Sequence, residues 1–558
     1  MPQRESSTSR RDFIKVAAGS ASLLIGVDRS GRILSLLQRV ERAGTFVPNQ
    51  WIAIDTSGIV TVRCQKSEMG QGVRTSIPAI AAAELGADWS KVHVLHAEPG
   101  PSFTSMGTSG SGSIEDSWGP LRQAAAAARA MLVSAASNRW SVAPTECDTE
   151  NGFVIHRASD RRLAFGDLVA GAAQLDVPKS PALRPDAELH LLGTALKRVD
   201  APAIVRGIAT YGIDVRVPNM RFAVIARPPV AGAQVARMNE TAAHRVAGVQ
   251  SVVRTPSGVA VVASTTWGAI RGRTALDVEW DRTGGAGENS SVYLQRLEDA
   301  LPAARPARHE GDPAAAFSGA ARHMTALYHA PFQAHAAMEP LNCVADVRAD
   351  RCDVWVGTQR PNTIKSLAAT MLGISEDRVT VHVTLLGGAF GRRIAIDYAR
   401  EAIELSRAIV APVQVVWTRD DDFAHDFYQA AQVNRMSAAL NASGDVVGWR
   451  HEVADYHLTM FGDYDPKYNP AADGDPWGGF DTPYHFPALD VTMALLEAPV
   501  PTGAWRSVAY PPAVFARESF LDEVAHETGR DPLGLRLSFI PSPGNAGRAR
   551  RPDGDRLR

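Results

Sequence analysis

Hydrophobic and polar positions divide the chain into short alternating runs and a few apolar helical ones. Residues 51–64 alternate around Thr56-Ser57-Gly58, which predicts a β-hairpin. A helix is predicted over 75–85, a strand at Val92-His93-Val94, and a long alanine-rich helix from about Pro120 to Trp140. Further along, a hairpin of 341–347 and 352–356 leads to a helix containing Ala368-Ala369 and a strand over Val379–Val383. A helix from about Tyr398, a strand over 413–417 and an amphipathic helix over 514–528 follow. Between these parts, 207–214, 220–229, 248–253 and 258–263 read as short strands ahead of a helical 266–276, a small α+β block. The polar stretch 281–306 reads as a surface connection, and Thr418-Arg419-Asp420-Asp421-Asp422 as a solvated acidic turn, because three adjacent aspartates cannot all face one cation.

The order of elements repeats. Gln71 is followed by a helix, Leu85-Gly86, a short polar turn and the strand at Val92. Gln359 is followed by a helix, Leu372-Gly373, the acidic turn Ser375-Glu376-Asp377 and the strand at Val379. The glutamines and the Leu-Gly pairs keep register within one residue, so a duplicated unit facing one ligand is expected. The fold class is α+β, with mixed α/β duplicated units and a small domain inserted between them. Five segments are expected: 1–30, 46–175, 196–285, 320–540 and 541–558.

Three loops stand where such units collect ligands. Leu385-Leu386-Gly387-Gly388-Ala389-Phe390-Gly391-Arg392-Arg393 joins a strand to a helical run, and its glycines let backbone amides approach an anion closely. Arg392 and Arg393 strengthen that reading. Ser67-Glu68-Met69-Gly70-Gln71-Gly72 opens the first helix, and Thr108-Ser109-Gly110-Ser111-Gly112-Ser113 precedes the long one. Taken singly, an ordinary glycine turn and a flexible Ser/Gly linker are equally good accounts. His335 and Glu339 are either acid–base groups or a buried hydrogen-bonded pair, and the structural role is favoured because buried polar groups are normally satisfied.

Composition narrows the classes. At 558 residues several domains are expected, and 45% hydrophobic with 21% charged residues allows a substantial core. A net charge of -2 gives no electrostatic case for nucleic acid. Cys64, Cys147, Cys343 and Cys352 form no CxxC pair, so neither zinc nor an iron–sulfur cluster is expected in this chain, and Cys343 and Cys352 would not face each other across their hairpin. Neither GxGxxG nor GxxxxGK[ST] occurs, against a nucleotide-binding dehydrogenase. The N-terminus, Ser9-Arg10-Arg11-Asp12-Phe13-Ile14-Lys15 followed by the apolar run 16–27, predicts a twin-arginine signal, export in the folded state and a periplasmic location. No run has the length of a transmembrane helix. Beyond Ile540 the chain is rich in Pro, Gly and Arg, and disorder is expected there.

With SEMGQG, TQRP, GGAFGRR and the Trp505-Arg506 loop in this order, the chain resembles the molybdopterin-binding large subunits of the xanthine dehydrogenase and aldehyde oxidase family, and most the isoquinoline 1-oxidoreductase beta subunit branch. The resemblance runs from about Phe46 to Ile540 and makes 207–280 a hammerhead-like domain. It implies that Gly70, Gln71 and Gly72 contact molybdopterin, that Gly387, Gly388, Phe390, Gly391 and Arg392 border its dithiolene and metal ligands, and that Gln359 hydrogen-bonds an oxygen on molybdenum. Ser109, Gly110, Ser111 and Gly112 would cradle the phosphates of a cytosine dinucleotide form, and Trp505 and Arg506 would border the substrate. The implied reaction is hydroxylation of a heterocycle or aldehyde C–H with oxygen from water, the electrons leaving through a 2Fe–2S small subunit to a downstream acceptor. The family's catalytic glutamate stands in a C-terminal Gly-x-Gly-Glu segment that does not appear here. Glu68, Glu339, Glu401 and Glu518 occupy other positions, so the catalytic base is unassigned. The change of composition after Ile540 raises the expectation of a truncation or shifted frame, and with it the alternative of a cofactor- or partner-binding remnant.

Overall fold

In the computed structural model the first hairpin forms from Ile52–Ile54 and Val60–Cys64, with Asp55 Oδ1 accepting from Ser57 N (2.9 Å) and Ile59 N (3.1 Å) in the turn. The structure describes residues 23–27, 33–34, 50–283, 289–460 and 482–540. They divide into two units. The first comprises the chain up to Met220 with Asn342–Gly388 and Ile396–Gln414; the second comprises Arg221–Leu341, Ala389–Ala395 and the chain from Val415.

The first unit contains the same motif twice. In the first copy, Ile52–Ile54 pairs antiparallel with Val60–Cys64, the helix Val73–Leu85 crosses over, a 3-10 turn Trp89–Lys91 follows, and Val92–His96 returns parallel to Val60–Cys64. In the second, Asn342–Val347 pairs antiparallel with Cys352–Val356, the helix Pro361–Leu372 crosses over, a 3-10 turn Glu376–Arg378 follows, and Val379–Val383 returns parallel to Cys352–Val356. The strands Val60–Cys64 and Cys352–Val356 even alternate alike, with the odd-position side chains buried. Each helix ends on a left-handed glycine, Gly86 (φ 73°) and Gly373 (φ 66°), which lets the chain turn back without a Cβ clash. Each Ile or Leu buried against this core stabilises it by about 1.5–3 kcal/mol, and Ile77, Ile80 and Leu85 share one cluster with Leu121, Ala125 and Leu132 of the long helix. Glu84, fully buried, accepts from Arg122 Nε (2.9 Å) and Arg184 N (2.8 Å) and pairs with Arg129 (2.9 Å).

In the second unit, five strands order as Arg305–Glu310, Leu489–Leu496, Val446–Tyr456, Gln432–Leu440 and Arg322–Ala330. The helix Tyr510–Thr528 brings Phe520 and Leu521 to the cluster of Met436, Trp449 and Phe486. The helix Ser290–Ala300 brings Tyr293 and Leu297 to Val433, Ala454 and Tyr456. Arg221–Ala226, Val249–Thr255 and Gly258–Ala263 form the antiparallel strands of the small block, with Val224, Ala263 and Ala269 of the helix Thr266–Ala275 packed together.

Several expectations are corrected. The long helix runs over Ser113–Trp140 and carries Pro120 inside it, because Glu115 and Asp116 already provide a favourable first turn. Residues 207–214 form no strand; Asp214 accepts from Tyr211 N (3.0 Å) and closes the 3-10 turn Gly212–Asp214. The stretch 281–306 holds the helix Ser290–Ala300, capped by Asn289. Thr418-Asp422 is no solvated turn. Thr418 caps the helix Arg419–Ala424, and Asp421 and Asp422 are buried. The last amphipathic helix starts four residues early, at Tyr510. The expected arginine pair and the tail 541–558 lie outside the described residues and are not corrected; of the apolar run 16–27 only the strand Leu23–Val27 is described, with Leu23–Ile25 paired to Ile52–Ile54. Cys352 faces Val347 and Cys343 faces Val356, and all four thiols are free. Among the described residues no helix is long and apolar enough to cross a membrane.

The paired glycine caps give a sharp comparison. A Cβ on Gly86 would lie 2.5 Å from Thr149 O, whereas one on Gly373 meets nothing within 4 Å. Gly373→Ala is expected to cost about 1–2 kcal/mol of left-handed strain, and Gly86→Ala about 3 kcal/mol or more, read as the shift in the urea unfolding midpoint of each variant.

Candidate cofactor site

In the first unit, the glutamine loop of each copy meets the loop that follows the last strand of the other copy, 108–113 in the first and 385–388 in the second. Thr108 N donates to Gln359 O (3.0 Å), and Leu386 N donates to Glu68 O (3.1 Å). Ser67 joins both sides, its N donating to Thr108 Oγ1 (2.9 Å) and its Oγ to Thr358 O (2.7 Å). Gln71 Nε2 donates to Ser67 O (2.9 Å) and Gln359 Nε2 to Thr108 O (2.7 Å), so the two glutamines belong to one network. Behind it, buried Tyr398 donates its hydroxyl to Gly357 O (2.8 Å). Sequence reasoning placed Ser67 and Thr108 in the candidate loops but not in this joint, and missed Tyr398, because their partners are remote in the chain.

The amides of the first loop are not open to an anion, contrary to expectation. Glu68 Oε1 accepts from Gly70 N (3.0 Å) and Gly72 N (2.9 Å), and Oε2 accepts from Arg74 N (3.0 Å). An acidic residue just ahead of a helix is a capping signal in the sequence, and it marks this use. Arg198 Nη2 completes the shell of Glu68 at 3.1 Å. The loop 108–113 is different: Ser109, Gly110 and Ser111 are exposed, and buried Lys66 fixes the ends of the loop by bonding Gly107 O (2.8 Å) and Asp116 (2.6 Å).

In the second unit, Phe390 (φ 56°) and Gly391 (φ 116°) carry the backbone past the 501–508 loop. A Cβ on Gly391 would lie 1.5 Å from Ala504 O and 3.2 Å from His335 Nε2, so only glycine fits there. Trp505 Nε1 donates to Ala334 O (3.3 Å), and Arg506 is exposed. Arg392 and Arg393 are buried and already matched, which corrects their reading as free anion-binding charges. Arg392 Nε lies 2.9 Å from Asp426, and Arg393 bonds Glu339 Oε2 (3.0 Å). His335 pairs with Asp426 (3.0 Å) and not with Glu339. Burial alone would raise the Asp426 carboxyl, but the His335 hydrogen bonds and Arg392 hold it below the usual range. Among the described residues, no three His, Cys, Asp or Glu side chains cluster to hold a metal.

The sequence matches models described as molybdopterin cofactor-binding domains at residues 298–539 and 13–194. It is 31% identical over 553 residues to isoquinoline 1-oxidoreductase subunit beta of Brevundimonas diminuta, covering 88% of this chain and 70% of that one. It is also 31% identical over 583 residues to the membrane-bound aldehyde dehydrogenase [pyrroloquinoline-quinone] of Gluconacetobacter polyoxogenes, covering 98% and 74%. Quinoline 2-oxidoreductase from Pseudomonas putida 86 shares the fold at a TM-score of 0.51 and 19% identity, over 63% of this chain and 50% of that structure. The chain belongs to the xanthine dehydrogenase family of molybdopterin-binding oxidoreductase large subunits.

The first unit fits such a group. Gln359 Oε1 is buried and has no hydrogen-bond partner, a costly state for a carboxamide that lacks its ligand. Gly70, Gly72 and Gly110 have positive φ, and a Cβ on any of them would meet nothing within 4 Å, so open space lies against their backbones.

Asp422, expected to be solvated, gives a test in the second unit. Burial pushes its carboxyl up to about 6, against the opposing bond from Leu341 N (3.3 Å) and the nearby arginines. A carboxyl raised in the folded state favours folding while protonated, and loses that contribution as pH rises from about 4 through 6. Asp422→Asn therefore gains stability relative to wild type between pH 4 and 7 in thermal melts. A constant difference contradicts the placement.

Proposed function

We propose that the chain is the molybdopterin-carrying subunit of a hydroxylase that oxidises a C–H bond of an N-heterocycle or aldehyde with oxygen from water. The names of the relatives support the substrate classes. The observation that carries the reading is the joined pair of glutamine loops with Gln359 Oε1 left unmatched. When bound, the molybdenum group supplies the two-electron redox centre and the exchange of oxygen with water.

This chain's residues would do the rest. Gly70 and Gly72 present a backbone surface without side chains, and Gln71 between them folds its carboxamide back onto Ser67 O and Met69 N. Gln359 is held by Thr108 and turns its Oε1 toward a hydrogen-bond donor of the ligand. Gly387 and Gly388 (φ 100°) continue that surface, and the Ser109–Gly112 loop, exposed at Ser109–Ser111, takes the diphosphate of a cytosine dinucleotide form. In the second unit, Trp505 and Arg506 border the substrate beside Phe390 and Gly391. A 2Fe–2S small subunit receives the electrons and passes them to a further acceptor, and the twin-arginine motif directs the folded protein to the periplasm.

A second reading, cofactor binding without turnover, is favoured by the state of the glutamates. Glu68 accepts four hydrogen bonds, Glu339 pairs with Arg393, and Glu518 pairs with Arg517 and Arg536, so none of these three is poised as a base.

Metal analysis of the purified protein, with nucleotide and quinone analysis of the acid-released cofactor, tests the proposal. About one molybdenum per chain with one cytidine nucleotide is expected if every chain holds one group. Molybdenum with no turnover of isoquinoline- or aldehyde-type substrates supports the second reading. Pyrroloquinoline quinone, the group in the Gluconacetobacter relative's name, in place of a pterin overturns both.

A further inference from the structure

The glutamine loop carries an anion of its own. Glu68 is 3% exposed. Its two oxygens take the amides of Gly70, Gly72 and Arg74, the donors at the start of the helix Val73–Leu85. Arg198, outside both segments expected to contact the cofactor, reaches this carboxylate and also donates Nη1 to Gly70 O (2.8 Å). Asp200 holds the same guanidinium from its other side, at 2.9 Å to Nε and 2.8 Å to Nη2. Val199 N donates to Thr75 Oγ1 (3.0 Å), which fastens the 198–200 segment to the first turn of the helix. The positive φ of Gly70 and Gly72, 108° and 90°, is the conformation that turns both amides inward onto one carboxylate.

We propose that Glu68 and Arg198 are positioning residues for the cofactor. The carboxylate occupies the loop's anion position, and the loop therefore meets its ligand through the Cα faces of Gly70 and Gly72 and not through backbone amides. Arg198 neutralises the buried carboxylate and pins the Gly70 carbonyl, so the ligand-facing side is shaped before the ligand arrives. A phosphate is thereby excluded from this loop and left to the exposed Ser109–Ser111 stretch. Removing the carboxylate leaves three part-buried backbone N–H groups without their acceptor and Arg198 with Asp200 as its remaining carboxylate partner, at a cost that a small carboxylate from solution can offset. This inference rests on the molybdopterin reading.

The test uses the full chain purified with its cofactor, as wild type, Glu68→Ala, Glu68→Gln and Arg198→Met, with molybdenum per chain and thermal midpoint as readouts. Glu68→Ala is expected to retain about tenfold less molybdenum and to melt lower. About 100 mM formate, but not chloride at equal ionic strength, restores part of both by filling the vacated carboxylate position. Glu68→Gln, which cannot serve three N–H donors and a cation as well, falls between. Arg198 is part-exposed, so Arg198→Met folds and lowers molybdenum content several-fold. Undiminished molybdenum in Glu68→Ala and Arg198→Met, beside a loaded wild type, overturns this inference alone. Equal rescue by chloride and formate overturns it as well. A wild type without molybdenum overturns the functional reading and this inference with it. Should Glu68→Ala not fold, Arg198→Met carries the decision.

Discussion

Two backbone hydrogen bonds, Thr108 N to Gln359 O and Leu386 N to Glu68 O, set the arrangement on which the first unit's chemistry depends. Each joins the glutamine loop of one copy to the loop that follows the last strand of the other. Neither loop has a regular ladder to satisfy its own backbone, so each completes the other, and buried polar groups that would otherwise be costly become the joint. Ser67 and Thr108 add side-chain bonds across the same joint, and Tyr398 braces it from behind. The hairpin–helix–strand frame of each copy positions these loops at the ends of its parallel strands, where a crossover leaves backbone groups available.

The same economy explains why so few charges near the candidate loops of each unit, taken separately, are free. Arg392 and Arg393 look in the sequence like phosphate ligands, but burial makes an unmatched guanidinium prohibitive, and Asp426 and Glu339 match them. Glu68 is matched by amides and Arg198. Among the buried polar atoms left without a partner in the first unit is Gln359 Oε1, and open space lies at Gly70, Gly72 and Gly110. A ligand face of glycine backbone with a directed carboxamide acceptor suits a heterocyclic cofactor.

Much of this was legible in the sequence because it is local. Alternation located both hairpins, and the Leu-Gly pairs located both helix ends, since a left-handed C-cap needs glycine within a turn of the last apolar residue. The duplication was legible for the same reason. Partner choice was not. Nothing near Asp421 foretells Arg273, which pairs with it at 2.7 Å, and nothing near Gly391 foretells Ala504. Proline misled at the long helix, where Pro120 sits inside an element whose start is fixed by the acids of its first turn. Three adjacent aspartates misled at 420–422, because Thr418 and the remote Arg273 hold Asp421 inward and the amide of Leu341 holds Asp422. Glu68 lay in view as a carboxylate ahead of a helix, and its capping use was obscured by the expectation of an external anion.

The most direct measurement of the joint is amide hydrogen exchange on the cofactor-free protein, resolved at Thr108 and Leu386 and compared with Gly110 and Ser111. If the two copies lock their loops together before any ligand binds, Thr108 and Leu386 exchange about 100-fold more slowly than the exposed residues Gly110 and Ser111. Exchange of Thr108 and Leu386 as fast as that of Gly110 and Ser111 would contradict a preformed joint and make the ligand its cause.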